Sequence, residues 1–265
     1  MEQVAAVYEH PHKSQTPRAK PKDYKRKYKP IMNVHYLQHV PFEGLGSIEP
    51  WLKNRGHTIT ATHLYNNEEL PPINDIDWLI VMGGPMSVED QAIHPWLTEE
   101  KTFIQKALNQ NKTVLGICLG AQLIADVLDA YIIKNTYREI GWFPIQLSDE
   151  VKATKLGTVL PNTFDVLHWH GDTFSLPDNA IPLASSEACL NQGFILNERV
   201  LGLQFHLETT PESALDLTIH CKNELDNSQF VQSAEEILVK PERFKKINEI
   251  MEIILSYLEN NNLSK

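Results

Sequence analysis

The chain has 265 residues, of which 42% are hydrophobic, and its formal net charge is −10. This length suits one large α/β domain, and the apolar content is sufficient for a core. An acidic chain is not expected to bind nucleic acid, because phosphate neutralisation needs a basic face. No apolar run of about 18 residues and no secretory leader pattern is found, so we expect a cytoplasmic protein without membrane spans.

The first 30 residues differ in charge from the rest of the chain. They hold eight Lys or Arg and three Asp or Glu, a net charge of +5, which leaves −15 for the remainder. A proline-punctuated, apolar-poor segment is typical of a solvated extension. We therefore divide the chain into a flexible basic extension, 1–30, and one domain, 31–265. Binding of an anionic partner and a mitochondrial presequence are alternative interpretations of the extension.

From residue 31 onward, segments typical of strands alternate with segments typical of helices. The first strands are IMNVHYLQH, HTITATHL, DWLIVM and KTVLGI, and the first helices are LGSIEPWLKNRG, HPWLTEEKTFIQKALNQN and AQLIADVLDA. Further strands, partly antiparallel, are GWFPIQL, FDVLHWH, IPLASSE and RVLGLQFH. A helix with Thr210 as N-cap and an amphipathic helix near 242–259 complete the chain. This alternation predicts an α/β fold in which helices flank an open, mostly parallel sheet.

Sites in such sheets lie at the carboxyl ends of the strands, and Cys118 is predicted to lie at one of them. The stretch TVLGICLGAQLIAD has the Gly-x-Cys-x-Gly pattern of a nucleophile elbow, in which Gly116 and Gly120 avoid clashes in the turn. The helix N-terminus would favour the thiolate, and amides from Leu119 onward could hold an oxyanion. The alternative is that Cys118 is a buried structural residue.

Two other segments carry candidate partners for this thiol. In LGLQFHLET, His206 ends an apolar strand and Glu208 follows two residues later, so a continuing strand would point both side chains the same way. The alternative is a strand-end histidine with a solvated glutamate. In VMGGPMSVED, the turn through Gly83 and Gly84 exposes backbone amides that could approach a ligand.

The remaining cysteines and histidines indicate no metal or cofactor site. The three cysteines form no CxxC pair, which disfavours a zinc site and a disulfide framework, and Cys189 and Cys221 are interpreted as structural. His168 and His170, which flank Trp169, are assigned to packing and hydrogen bonding.

Together, GGPMSV, GICLGAQ and LQFHLE resemble the class I (triad) glutamine amidotransferases. The resemblance is closest to stand-alone proteins similar to the glutaminase domain of GMP synthase. It extends over LQHVPFEGLGSIEPWL, REIGWFPI, HWHGDTFSLP and ASSEACLNQGF, covering residues 31–260. It implies a flavodoxin-like α/β fold and an enzyme that acts on glutamine or another γ-glutamyl small molecule.

The resemblance also implies a role for each matching residue. Cys118 would attack the amide, His206 would transfer the proton, and Glu208 would orient His206. Backbone amides of Gly84 and Leu119 would hold the oxyanion. Gln122, Gly171 and Asp172 correspond to positions that hold the amino-acid end of glutamine. Leu207 stands where many members have proline, from which we expect only a local change in geometry.

These observations leave three functions open. The first is a glutaminase that forms a Cys118 γ-glutamyl thioester and releases glutamate and ammonia for an unidentified acceptor. Because no Walker-type motif is present, we expect either that a separate synthetase or acceptor enzyme binds the chain or that the chain hydrolyses the amide alone. The others are a γ-glutamyl peptidase or hydrolase with the same three residues and a catalytically idle regulatory module.

Overall fold

The computed structural model describes residues 30–226 and 228–262. Nine strands form one sheet: β1 Asn33–Gln38, β2 Thr58–His63, β3 Trp78–Val81, β4 Thr113–Ile117, β5 Ile132–Leu147, β6 Thr163–Phe174, β7 Ile181–Ser185, β8 Gly193–Leu196 and β9 Val200–Leu203. The α-helices are α1 Ile48–Arg55, α2 Trp96–Asn109, α3 Leu119–Val127, α4 Asp149–Lys152, α5 Pro211–His220, α6 Ala234–Leu238 and α7 Glu242–Asn262. Short 3-10 turns lie at Leu64–Asn66, Ile73–Asp75, Asp90–Ala92 and Lys222–Glu224.

The strand order across the sheet is β2-β1-β3-β4-β9-β8-β7-β5-β6. The five strands from β2 to β9 pair in parallel, and the pairs from β9 to β6 are antiparallel. Strands β3, β4 and β9 lie in the interior of the sheet, and every residue in them is buried. This burial explains their nearly continuous apolar sequences, which strands covered on both faces require.

Helices cover both faces of the sheet and divide the core into two clusters. On one face, α1 and α7 pack on the sheet through residues such as Trp51, Leu52 and Met251. On the other face, α2 and α3 contribute Phe103 and Leu123. The predicted α/β architecture with an open sheet between helices is therefore confirmed.

Most predicted elements occupy the expected segments, with differences at three strands and with two short helices, α4 and α6, that were not predicted. Strand β5 runs for 16 residues, beyond the predicted GWFPIQL, and its pairing with β6 is interrupted by an irregularity between Lys134 and Glu139. Strand β8 was not predicted as a separate strand. Strand β9 ends at Leu203, so the prediction that the strand extends to His206 is wrong. The proposed extension, 1–30, lies outside the described residues except for Pro30.

Three neighbouring parallel strands bring the candidate residues to the same edge of the sheet. The Gly83–Gly84 turn follows β3, Cys118 follows β4, and His206 lies three residues beyond β9. Because β3, β4 and β9 are adjacent, these segments converge above their carboxyl ends. Among the described helices, none combines the length and apolar character needed to cross a membrane.

Candidate active site

Cys118 occupies a sharp turn between β4 and α3. Its φ of 52° and ψ of −109° lie outside the ordinary helical and extended regions, a conformation that non-glycine residues rarely adopt. A Cβ on Gly120 would lie 2.1 Å from the carbonyl oxygen of Val81, and one on Gly116 would lie 2.5 Å from that of Gly120. The two glycines therefore permit the backbone approach that holds the thiol at the end of the sheet.

His206 and Glu208 form a buried pair beside the thiol. Their Nδ1 and Oε1 atoms are 2.7 Å apart. The backbone N–H of His206 donates to the carbonyl of Leu167 at 2.8 Å, so a bridge to β6 fixes this segment after β9 has ended. The expected contact between the two side chains thus forms without the continuing strand on which the prediction relied.

Burial dominates the electrostatics of the thiol. It raises the pKa of Cys118, while interaction with His206 and the backbone amide of Leu119 acts in the opposite direction. Burial also lowers the pKa of His206, but the Glu208 carboxylate and Cys118 outweigh it, so that the pKa of His206 rises well above its usual value. At this site burial therefore disfavours the Cys118 thiolate, while the Glu208 carboxylate favours proton binding by His206, so the helix N-terminus is not the dominant influence on the pKa of the thiol.

A buried histidine fixes the Gly83–Gly84 turn. His39 Nδ1 donates to the carbonyl of Gly83 at 2.9 Å, and its Nε2 lies 2.8 Å from Glu100 Oε1. Because the carbonyl and the N–H of one trans peptide point in opposite directions, this contact turns the Gly84 N–H away from His39. Among the described residues, no acceptor engages that N–H. A Cβ on Gly84 would lie 3.1 Å from a Leu119 methyl carbon, so the two residues predicted to supply the oxyanion donors are neighbours.

A cavity of 630 Å³ opens above these residues, and Cys118 and His206 line it. The three predicted substrate-binding residues, Gln122, Gly171 and Asp172, line the same cavity. The Gln122 amide donates to Gln204 Oε1 at 3.1 Å and to the Asp172 carbonyl at 3.4 Å. The structure thus brings every predicted site residue to one region.

Two residues at the site were missed from the sequence. The amide of Gln204 lies 3.7 Å from the Cys118 sulfur, and Gln204 directly precedes Phe205 in the motif that contains His206. Glu43 lines the cavity, and its Oε2 lies 2.3 Å from the point where a Gly83 Cβ would be. Burial raises the pKa of Glu43 to about 7, although His206 and His39 oppose that shift. Glu43 is a polar residue in a loop with no repeating pattern around it, so the sequence pattern did not indicate that it lies at the site.

Other cysteines and histidines lie around the site, and one of these histidines, His170, lines the cavity. The Cys118 thiol donates to the Trp169 carbonyl at 3.5 Å, which places strand β6 against the sulfur. Cys221 also lines the cavity, and burial raises its pKa to about 12. On β6, the two histidines that flank Trp169 meet Glu139 in a buried cluster whose donor atoms are of the kinds that hold metal ions.

Comparison with known proteins agrees with this geometry. Residues 46–219 match the family model described as glutamine amidotransferase class-I. The chain is 35% identical to the glutamine amidotransferase-like protein YfeJ of Salmonella typhimurium, over 78% of this chain and 89% of that protein. It is 28% identical to one subunit of the glutamine-hydrolysing GMP synthase of Picrophilus torridus, over 60% of this chain and 81% of that protein.

A solved structure extends the similarity to the whole fold. The glutamine amidotransferase of Methylobacillus flagellatus superposes with a TM-score of 0.82 at 27% identity, covering 88% of this chain and 96% of that one. The family match extends over more than half of the chain and includes the turn at Gly84 and the segments around Cys118 and His206. The chain therefore belongs to the class I glutamine amidotransferase family, whose members are C–N hydrolases.

Proposed function

We propose that the protein hydrolyses the side-chain amide of glutamine through a γ-glutamyl thioester on Cys118. The observation that carries this proposal is the arrangement at the ends of β4 and β9. A cysteine in a strained turn and a histidine whose Nδ1 lies 2.7 Å from a carboxylate line the same cavity, which a small molecule can enter. A nucleophile, a base and a group that orients the base are the parts that acyl transfer requires.

The proposed reaction uses these groups in turn. The Cys118 sulfur bonds to the amide carbon as its proton passes to His206, whose charge Glu208 stabilises. His206 returns the proton to the nitrogen, the C–N bond breaks and ammonia leaves. Water then adds to the thioester, again with His206 as base, and the products are glutamate and the free thiol.

Backbone and side-chain groups around the thiol supply binding. The amides of Gly84 and Leu119 hold the oxyanion of the tetrahedral intermediate, where fixed donors stabilise the developing charge. Gln122, Gly171 and Asp172 bind the amino-acid end of glutamine. Their position on the cavity wall next to Cys118 supports this assignment.

The ammonia is released to an acceptor on another protein. A relative that is a separate subunit of GMP synthase supports a partner synthetase for this chain.

The three cysteines are free thiols, which suits a reducing compartment, so we place the protein in the cytoplasm.

A second candidate, γ-glutamyl peptide hydrolysis, is favoured by the size of the cavity. Its 630 Å³ are several times the volume of glutamine and fall within the range of sites for larger ligands. The same three residues would act, and the leaving group would be an amine in place of ammonia.

Glutamate release from glutamine and from γ-glutamyl dipeptides, each measured with wild type and with Cys118→Ala, tests both candidates. We expect glutamine to be hydrolysed by wild type only. Cleavage of the dipeptides without cleavage of glutamine would replace the leading proposal with the second. No turnover of either substrate, alone or with a synthetase, would favour the idle regulatory module.

A further inference from the structure

A buried cluster of three ionisable side chains lies beside the active-site cavity, which His170 also lines, on the paired strands β5 and β6. Glu139 of β5 lies opposite His170 of β6 in the antiparallel register. His168 lies two residues before His170, and alternation along the strand puts both imidazoles on the same face. All three residues are at least 96% buried, with exposed fractions of 1% for Glu139, 0% for His168 and 4% for His170.

One ring nitrogen of each histidine contacts a backbone carbonyl, and this partner fixes which nitrogen carries the hydrogen. His168 Nε2 lies 3.3 Å from the carbonyl oxygen of Phe143, and His170 Nδ1 lies 3.1 Å from that of Asp172. A carbonyl oxygen only accepts hydrogen bonds, so each of these nitrogens bears the hydrogen. In the neutral imidazoles, His168 Nδ1 and His170 Nε2 therefore present lone pairs to the interior of the cluster.

Both of these nitrogens lie near the Glu139 carboxylate. Its Oε2 lies 3.5 Å from His168 Nδ1 and 3.3 Å from His170 Nε2. Oε2 accepts hydrogen bonds from the Gln192 amide at 2.6 Å and the Ser186 hydroxyl at 3.0 Å, which hold the carboxylate in place. His168 Nδ1, His170 Nε2 and Glu139 Oε1 are buried without hydrogen-bond partners among the described residues. One ligand atom of each of the three residues lies within 4.8 Å of the other two, an arrangement that suits a cation between them.

Other histidine–carboxylate pairs in the same chain argue against a shared proton as that cation. Charge-assisted N–H···O bonds are typically about 2.7–2.9 Å long. Three pairs are 2.7–2.8 Å apart: His39–Glu100, His63–Glu68 and His206–Glu208. The His57–Glu259 pair is 3.3 Å apart, but the Met32 N–H lies 3.2 Å from His57 Nδ1, so Nε2 carries the hydrogen toward the carboxylate. In the Glu139 cluster the nitrogen–oxygen separations are 3.3 and 3.5 Å, and the hydrogen of each neutral imidazole lies on the nitrogen that faces away from the carboxylate.

The separations suit a metal ion. Zinc bonds of about 2.0–2.2 Å in tetrahedral geometry place neighbouring ligand atoms roughly 3.3–3.5 Å apart. Metal-binding histidines also usually donate their other N–H to a carbonyl or carboxylate, as both histidines do here. We propose that Glu139, His168 and His170 form a Zn²⁺ site, with the fourth position taken by Glu139 Oε1 or by water. From the sequence, both histidines were assigned to packing, because Glu139 reaches them only through the β5–β6 register.

The position of the site indicates a structural role. Trp169 lies between the two histidines, and its carbonyl accepts the hydrogen bond of the Cys118 thiol. The ion would fasten β5 to β6 behind this carbonyl and would not touch the reacting atoms. The proposal does not depend on the reaction proposed above.

Metal content and metal-dependent stability of the full chain test this site. The experiment uses Cys118→Ala throughout, so that the active-site thiol cannot bind the ion. After dialysis against a chelator, Zn²⁺ is added and unbound metal is removed. We expect one Zn²⁺ per chain by elemental analysis and a higher Tm than that of the metal-free protein, because an ion that binds only the folded state stabilises it. Co²⁺ in place of Zn²⁺ should give the absorption bands of a tetrahedral site.

Variants then locate the ion. His168→Gln and Glu139→Gln, each in the same background, should lose stoichiometric Zn²⁺ and the rise in Tm. His35→Gln should keep both, because this buried histidine bonds only to Thr60 and Thr62. If the cluster variants fail to fold, the titration of the parent protein still decides. No bound Zn²⁺ and no change in the parent's Tm would overturn the proposal, as would equal binding by folded cluster variants.

Discussion

At the scale of single residues, the glycines of the turn around Cys118 are fixed by close backbone contacts. Gly120→Ala would place a Cβ 2.1 Å from the Val81 carbonyl, so strand β3 or helix α3 must shift. We expect a loss of about 2 kcal/mol or more in the free energy of unfolding, together with loss of activity. Gly44→Ala is the matched control, because its Cβ would meet only Gln38 Nε2 at 3.7 Å. Urea unfolding measures the free energy of unfolding of both variants, and equal stability of the two would contradict the assigned contact.

Glu43 gives a pH-dependent prediction at the same scale. Because burial raises its pKa from 4.5 to about 7, the folded protein keeps a proton that the unfolded chain releases in this range. Below pH 4.5 the carboxyl has little effect, and above pH 7 it lowers the free energy of unfolding by up to about 3 kcal/mol. Glu43→Gln should therefore stabilise the protein at pH 8 and not at pH 4. Denaturant unfolding at the two pH values checks this, and a gain of equal size at both would contradict it.

At the scale of elements, the buried His39–Glu100 pair connects the segment after β1 to helix α2 and holds the turn that follows β3. The double variant His39→Phe with Glu100→Met replaces the pair by apolar side chains of similar volume, which often preserves stability. We expect kcat to fall about tenfold or more, because the Gly84 amide loses its fixed direction, with little change in KM.

Three measurements on that double variant separate positioning from stability. Its Tm should stay near that of wild type, and alkylation of Cys118 by iodoacetamide, which needs no oxyanion donor, should proceed at the wild-type rate. Glu99→Met, at an exposed position on the same helix, is the control and should keep wild-type kcat. An unchanged kcat in the double variant would show that the pair does not orient the turn.

The sequence predicted the parts of the site that share a strand or a turn, and it missed those that depend on register. Cys118, Gly84 and His206 follow apolar runs, so strand periodicity and glycine spacing indicated where they would lie. The pairing of Glu139 with His170 depends on the alignment of β5 with β6, which an irregularity within β5 shifts. Strand β8 has four residues and is separated by only three residues from β9, so its apolar residues did not stand out as a second strand.

At the scale of the whole molecule, the described core extends from Met32 to Leu258. We propose that residues 31–265 form the folded domain and that 1–30 is an extension. A chain that begins at Ile31 should keep its Tm within about 2 °C of the full chain and should keep its glutaminase rate, because no described core contact is removed. Thermal unfolding and glutamate release measure both quantities. A drop of more than about 5 °C would place part of the extension in the fold.

The central claim, that Cys118 carries a γ-glutamyl thioester during turnover, is tested most directly by acid-quenching the enzyme with glutamine and mapping covalent adducts by mass spectrometry. We predict a γ-glutamyl adduct on the peptide that contains Cys118, which forms and decays at rates compatible with steady-state turnover. Cys118→Ala should show neither adduct nor turnover. An adduct on Cys189 or Cys221, or glutamate release that persists in Cys118→Ala, would contradict the claim.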